Sequence, residues 1–234
     1  MGEHMDPSLF ASELDARVAP FDLLSHPFYR DWIAGRLSRE QLCAYAVEYF
    51  HHVAAFPTFL SALHSRLEDG GLRRVVLRNL AEEEVEGRAH ADMWLDFAEG
   101  LGLSRDEVRA SRPSAPVRLL IERFSRSARQ DAPAQVVAAF YAYQSQVPGL
   151  SGERARALLS HYGANAHTCG FFVLHSYADV LQAQTWRGEL VRLISRDAGL
   201  ADSVLEAAGR AADWLWQALD GSQAHGLRAA SLSA

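Results

Sequence analysis

Residues 38–67 read SREQLCAYAVEYFHHVAAFPTFLSALHSRL. Ser38 and Gln41 form a capping box, and Leu42, Ala46, Tyr49, Val53, Phe56, Leu60, Leu63 and Leu67 follow at alternating steps of four and three. That spacing predicts a long helix with one apolar face turned to a core. No other stretch shows the sustained alternation of a half-buried strand, so the fold class is all-α. Pro57 falls inside the stripe and predicts a kink, because proline lacks an N–H and crowds the preceding turn.

Outward from this helix, boundaries fall at Gly35, at Gly70-Gly71, at a second capping box, Ser104-Arg-Asp-Glu107, and at the Pro113 to Pro116 segment. The apolar spacing between them predicts helices over about 72–100, 115–129, 133–148, 151–162, 167–184 and 202–220. No repeat or linker divides the chain, and 234 residues that are 49% hydrophobic suit one domain with one core. The expected layout is a single-domain helical bundle over residues 9–221. Residues 1–8, MGEHMDPS, are expected to be an appended or disordered leader, which sets His4 aside, and residues 222–234 a flexible tail.

Charge and residue usage exclude several classes of function. A net charge of -6 offers no basic surface for a phosphate backbone or an anionic membrane, and no apolar run reaches spanning length. Neither nucleic acid nor membrane is therefore expected as a partner. All 23 basic residues are arginine, which removes Schiff-base, P-loop and amine-donor chemistry based on lysine. Cys43 and Cys169 form no CxxC pair or disulfide framework; they read as core thiols in a reducing cytoplasm.

Polar residues interrupt the inward stripes. Over 72–100 the stripe runs Val76, Leu80, Glu83, Gly87, His90, Trp94, Phe97; on a continuous helix the seven residues from Glu83 to His90 make nearly two turns, which puts both on one face. Over 167–184 it runs Phe172, His175, Asp179, Gln182, and over 133–148 Val137, Phe140, Gln144, Val147. Unpartnered carboxylates and imidazoles in a core are costly, and a divalent ion compensates them with the ligand types first-row metals take. Glu83, His90, His175 and Asp179 are the candidate metal ligands. The ordinary alternative is that each is a hydrogen-bonded core residue, as single histidines and glutamates on helices commonly are. His51 and His52 point to different faces, so at most one meets a pocket, and Trp214 and Trp216 likewise lie on different sides of their helix.

With these residues in view, the chain resembles the heme oxygenase-like non-heme iron oxidases. The likeness is to the group of the chlamydial protein associating with death domains, and more distantly to pyrroloquinoline quinone synthase and thiaminase II. The likeness rests on His26-Pro-Phe-Tyr29-Arg-Asp-Trp32, Leu42-Cys-Ala-Tyr45, Asn79-Leu-Ala-Glu-Glu83, His90-Ala-Asp-Met-Trp94, Tyr141-Ala-Tyr-Gln-Ser-Gln-Val-Pro148 and His175-Ser-Tyr-Ala-Asp179. It implies a heme oxygenase-like bundle in which Glu83, His90, His175 and Asp179 stand at metal-ligand positions. Gln144 stands where the diiron pattern has glutamate and Gln182 where it has histidine. With only two carboxylates, one ion, iron(II) or alternatively manganese(II), is expected rather than two. Glu83, His90 and His175 would then resemble a two-histidine, one-carboxylate triad, with Asp179 as a fourth ligand or a hydrogen-bond acceptor behind it.

The chlamydial relative is associated with building p-aminobenzoate from its own tyrosine, with a lysine as amine donor. Tyr29 stands at the tyrosine position and Arg154 at about the donor position, so that self-sacrificing route is not expected here. Tyr29, Tyr143, Gln144 and Gln182 are the candidate groups for contacting substrate, with Tyr29, Tyr45 and Tyr143 also readable as core aromatics. The expectation is an oxidase or oxygenase acting with dioxygen on a small amino acid-derived or aromatic substrate in cofactor or natural-product biosynthesis, as a homodimer. A metal-free oxidase like pyrroloquinoline quinone synthase, and a non-catalytic binding member of the fold, are the alternatives.

Overall fold

A computed structural model describes the backbone of residues 6–232 and the side chains of residues 6 and 8–221. Its α-helices are α1 (Pro7–Val18), α2 (Pro27–Ile33), α3 (Arg39–Arg66), α4 (Gly71–Glu84), α5 (His90–Gly100), α6 (Arg105–Ala110), α7 (Ala115–Gln130), α8 (Pro133–Gln144), α9 (Val147–His161), α10 (Gly170–His175), α11 (Ala178–Arg196) and α12 (Ala201–Leu232). Among the described residues there is no strand, and no helix is long and apolar enough to cross a membrane. The all-α, heme oxygenase-like single bundle expected from the sequence is the fold the chain adopts.

The long helix α3 starts at the capping box of Ser38 and Gln41 and buries Leu42, Ala46, Val53, Phe56, Leu60 and Leu63. It runs on through Pro57 and packs against α4, α5 and α7. On the far side of the core, α8 packs against α11 and α12. Apolar on all sides, α8 buries every residue from Val136 to Gln144. Phe140, fully buried, faces Phe56 at 5.5 Å and Trp186 at 5.9 Å between ring centres, which ties α3, α8 and α11 together. Trp94 of α5 is fixed to α3 by a hydrogen bond from its indole N–H to the Ala46 carbonyl at 2.8 Å.

Two helices expected to be continuous are broken. The helix expected over 72–100 stops at Glu84 and restarts at His90, with Gly87 at φ 80°, a left-handed conformation that a Cβ disfavours. The helix expected over 167–184 is divided at Ser176 and Tyr177 into α10 and α11, and α11 continues to Arg196. At the ends of the chain, Asp6 caps α1 by accepting from the Ser8 amide at 2.7 Å, so residues 6–8 of the segment set aside as a leader belong to the first helix. Residues 1–5, with His4, lie outside the described residues, as do residues 233 and 234. The last helix, expected to end near residue 220, continues to Leu232.

Phe140→Ala should cost about 3–5 kcal/mol of unfolding free energy, because it opens a void where three helices meet. Urea denaturation measures it; a loss below about 1 kcal/mol would mean this contact does not join the two halves of the core.

Candidate metal centre

Glu83 is one residue from the end of α4, His90 opens α5 and His175 closes α10. All three are buried, and one ligand-type atom from each lies within 4.8 Å of the others. The face-sharing geometry expected for Glu83 and His90 does not apply, since the helix is interrupted between them. The reversal around Gly87 brings them together instead, with His90 Nδ1 2.7 Å from Glu83 Oε2. The His90 and His175 rings sit 4.4 Å apart at 69°.

The imidazole of His175 is set up to be a ligand. Its Nδ1–H donates to the Phe171 carbonyl at 2.7 Å, which leaves the Nε2 lone pair free, as a backbone hydrogen bond commonly does for a metal-binding histidine. Burial holds it neutral, its pKa lowered to about 3, with the neighbouring His90 adding to the shift. Two imidazoles and one carboxylate, sealed from water, match the donor set expected for a divalent first-row ion.

Asp179, in the first turn of α11, stands outside this group of three. Burial raises its pKa well above the ordinary carboxylate range, and the charges of Glu83 and Glu82 raise it further; the Gln144 amide offsets part of this. Gln144 offers little to an ion, because its Oε1 already accepts from the Trp186 indole at 2.6 Å. Gln182 is likewise engaged, its amide nitrogen donating to Glu82 Oε2. Tyr143 lies in the interior, where burial above all, and the nearby Glu83 carboxylate, raise the pKa of its hydroxyl. Tyr29 lies apart from these, in an aromatic group with Tyr45 and Arg154, its hydroxyl 2.8 Å from that of Tyr45.

The sequence reading passed over Glu82 and Asn79. On α4 the buried residues are Leu72, Val76, Asn79 and Glu83, whereas Leu80 is only partly buried. Steps of four, three and four through Asn79 fit a helix face as well as steps through Leu80, and Glu82 sits three residues beyond Asn79. The signal was present in the spacing, masked by the preference for an apolar residue.

Residues 43–216 match the model of a family described as iron-containing redox enzymes. The chain is 39% identical over 212 residues to a 4-aminobenzoate synthase of Chlamydia muridarum, covering 90% of this chain and 89% of the relative. It is 26% identical over 161 residues to a pyrroloquinoline-quinone synthase of Xanthomonas campestris, covering 68% of this chain and 64% of the relative. A solved domain with a heme oxygenase-like fold from Shewanella denitrificans superposes with a TM-score of 0.78 at 18% identity, covering 94% of this chain and 93% of its own. The family model and the 39% identical relative carry the family; the solved structure speaks for the fold alone.

Near Tyr143 lies His52, fully buried, its ring 5.0 Å from that of Tyr143 and both of its ring nitrogens without a partner. Burial lowers its pKa from 6.5 to about 3. An unfolded chain therefore takes up a proton at this residue as pH falls below 6.5 while the folded chain does not, so His52 subtracts stability across that window. His52→Phe should make the loss of stability between pH 8 and pH 5 shallower, by up to about 1.4 kcal/mol per pH unit below the unfolded pKa. Urea midpoints at both values test this, and an unchanged pH dependence would show that His52 is not held neutral.

Proposed function

Because the chain belongs to the family of iron-containing redox enzymes, we propose that it is an oxidase or oxygenase whose metal is held by Glu83, His90 and His175. Its co-substrate is dioxygen, and its organic substrate is a small amino acid-derived or aromatic molecule on a route to a cofactor. The observation that carries this reading is the meeting of one carboxylate and two imidazoles, from three different helices, inside a sealed interior. One ion, iron(II) or alternatively manganese(II), suits the site, because the amides of Gln144 and Gln182 bring no charge and are already hydrogen-bonded to Trp186 and Glu82.

An iron ion held by the His90 and His175 imidazoles and the Glu83 carboxylate would supply redox chemistry toward dioxygen. The chain's own groups prepare the surroundings. Asp179, whose pKa burial and the Glu83 and Glu82 charges raise well above the ordinary range, can donate a hydrogen bond or a proton to a group that gains negative charge. Tyr143 offers a protonated hydroxyl from another side. Phe171, stacked on His175 at 3.9 Å, and Trp94, 4.9 Å from Phe171, exclude water.

His90→Ala and His175→Ala should each weaken iron(II) binding by about 100-fold or more and abolish oxygen uptake while helical circular dichroism is kept. Stoichiometric metal binding by both variants, or turnover that survives complete removal of divalent ions, would overturn this reading and leave acid–base groups acting alone. Restoring the charge and the missing imidazole with Gln144→Glu and Gln182→His together is expected to raise bound metal from one ion per chain to two, read by elemental analysis after gel filtration.

A further inference from the structure

Arg154 of α9 is 3% exposed, yet among the described residues no carboxylate forms an ion pair with it. Its Nη1 donates to the Tyr45 hydroxyl at 3.2 Å and its Nη2 to Ser151 Oγ at 3.1 Å, both neutral acceptors. Its Nε is buried with no acceptor at all. The guanidinium carbon lies 4.8 Å from the ring centre of Phe172, 5.3 Å from that of Tyr29 and 5.8 Å from that of Trp32. Those ring contacts favour the cation but give Nε nothing to donate to.

Trp32 supplies a second unpaired donor in the same box. Its indole is fully buried, and its Nε1–H has no acceptor. Buried donors are almost always paired, and a buried cation is strongly disfavoured without a counter-charge. Two unpaired donors in one aromatic enclosure, one of them on a fixed cation, mark the place of a missing acceptor that carries negative charge. Asp179 is near enough for the Arg154 charge to act on it, yet it makes no ion pair with Arg154 among the described residues.

We propose that Arg154 and Trp32 form the carboxylate-binding subsite for an aromatic acid, the substrate or product of the reaction proposed above, on which this inference rests. A carboxylate has two oxygens to share between the guanidinium Nε–H and the indole N–H. The rings of Tyr29 and Phe172 provide edges and faces for the aromatic body of the same molecule. A chain 39% identical to this one is named for making 4-aminobenzoate, an acid of this class. The box is closed to solvent, so entry requires α2, which carries Tyr29 and Trp32, to give way, and binding equilibrates slowly.

The test is equilibrium dialysis of the full chain, after long incubation, with 4-aminobenzoate, 4-aminobenzamide and acetate, using wild type, Arg154→Gln and Trp32→Phe. Wild type should hold 4-aminobenzoate at least about tenfold more tightly than the uncharged amide and more tightly than acetate. Arg154→Gln should erase that preference and Trp32→Phe reduce it severalfold, with the amide indifferent to both. No binding of 4-aminobenzoate by wild type, equal binding of the amide, equal or tighter binding of acetate, or acid binding that both variants keep unchanged would each overturn the proposal. Should Arg154→Gln not fold, Trp32→Phe, which keeps an aromatic ring and removes only the indole body and its donor, decides the matter. Metal content measured on the same samples separates the two claims: acid binding without metal uptake defeats the oxidase reading alone, and metal uptake without acid binding defeats the subsite alone.

Discussion

A carboxylate and two imidazoles are buried together, and their desolvation constrains everything around them. Glu83, His90 and His175 come from the ends of three helices, so none of them could be buried unless the bundle closed over all of them. The large aromatic residues supply that closure, with Trp94, Phe171 and Phe172 packed behind the imidazoles and Phe140 and Trp186 behind Gln144. Burial pushes the two kinds of group in opposite directions, lowering the pKa of His175 to about 3 and raising that of Asp179 well above the ordinary carboxylate range.

Much of this was legible in the order of residues, though not always for the reason first given. The stripes Phe172, His175, Asp179, Gln182 and Val137, Phe140, Gln144, Val147 are buried throughout. The first crosses a break at Ser176 and Tyr177, and Glu83 meets His90 across a reversal rather than along a face. Helical periodicity picked out the right residues although the stripes cross breaks in their helices. What periodicity could not supply was the identity of hydrogen-bond partners. That Gln144 serves Trp186 and Gln182 serves Glu82 depends on which helices pack together, and Asn79 was hidden by the apolar residue beside it.

The two glutamines fill polar positions at the candidate centre without adding charge. Each amide is hydrogen-bonded at the depth of the candidate centre, Gln144 to Trp186 and Gln182 to Glu82. The charge available to cations falls while the hydrogen-bond network survives. The same economy is absent at Arg154 and Trp32, where donors are left over, and at His52, where both ring nitrogens are.

Gly87 joins the two halves of the centre by a few exposed residues that bury almost nothing themselves. An ion gripping both Glu83 and His90 would clamp this reversal shut from the inside, so its affinity and the local order of residues 85–89 become a single thermodynamic quantity.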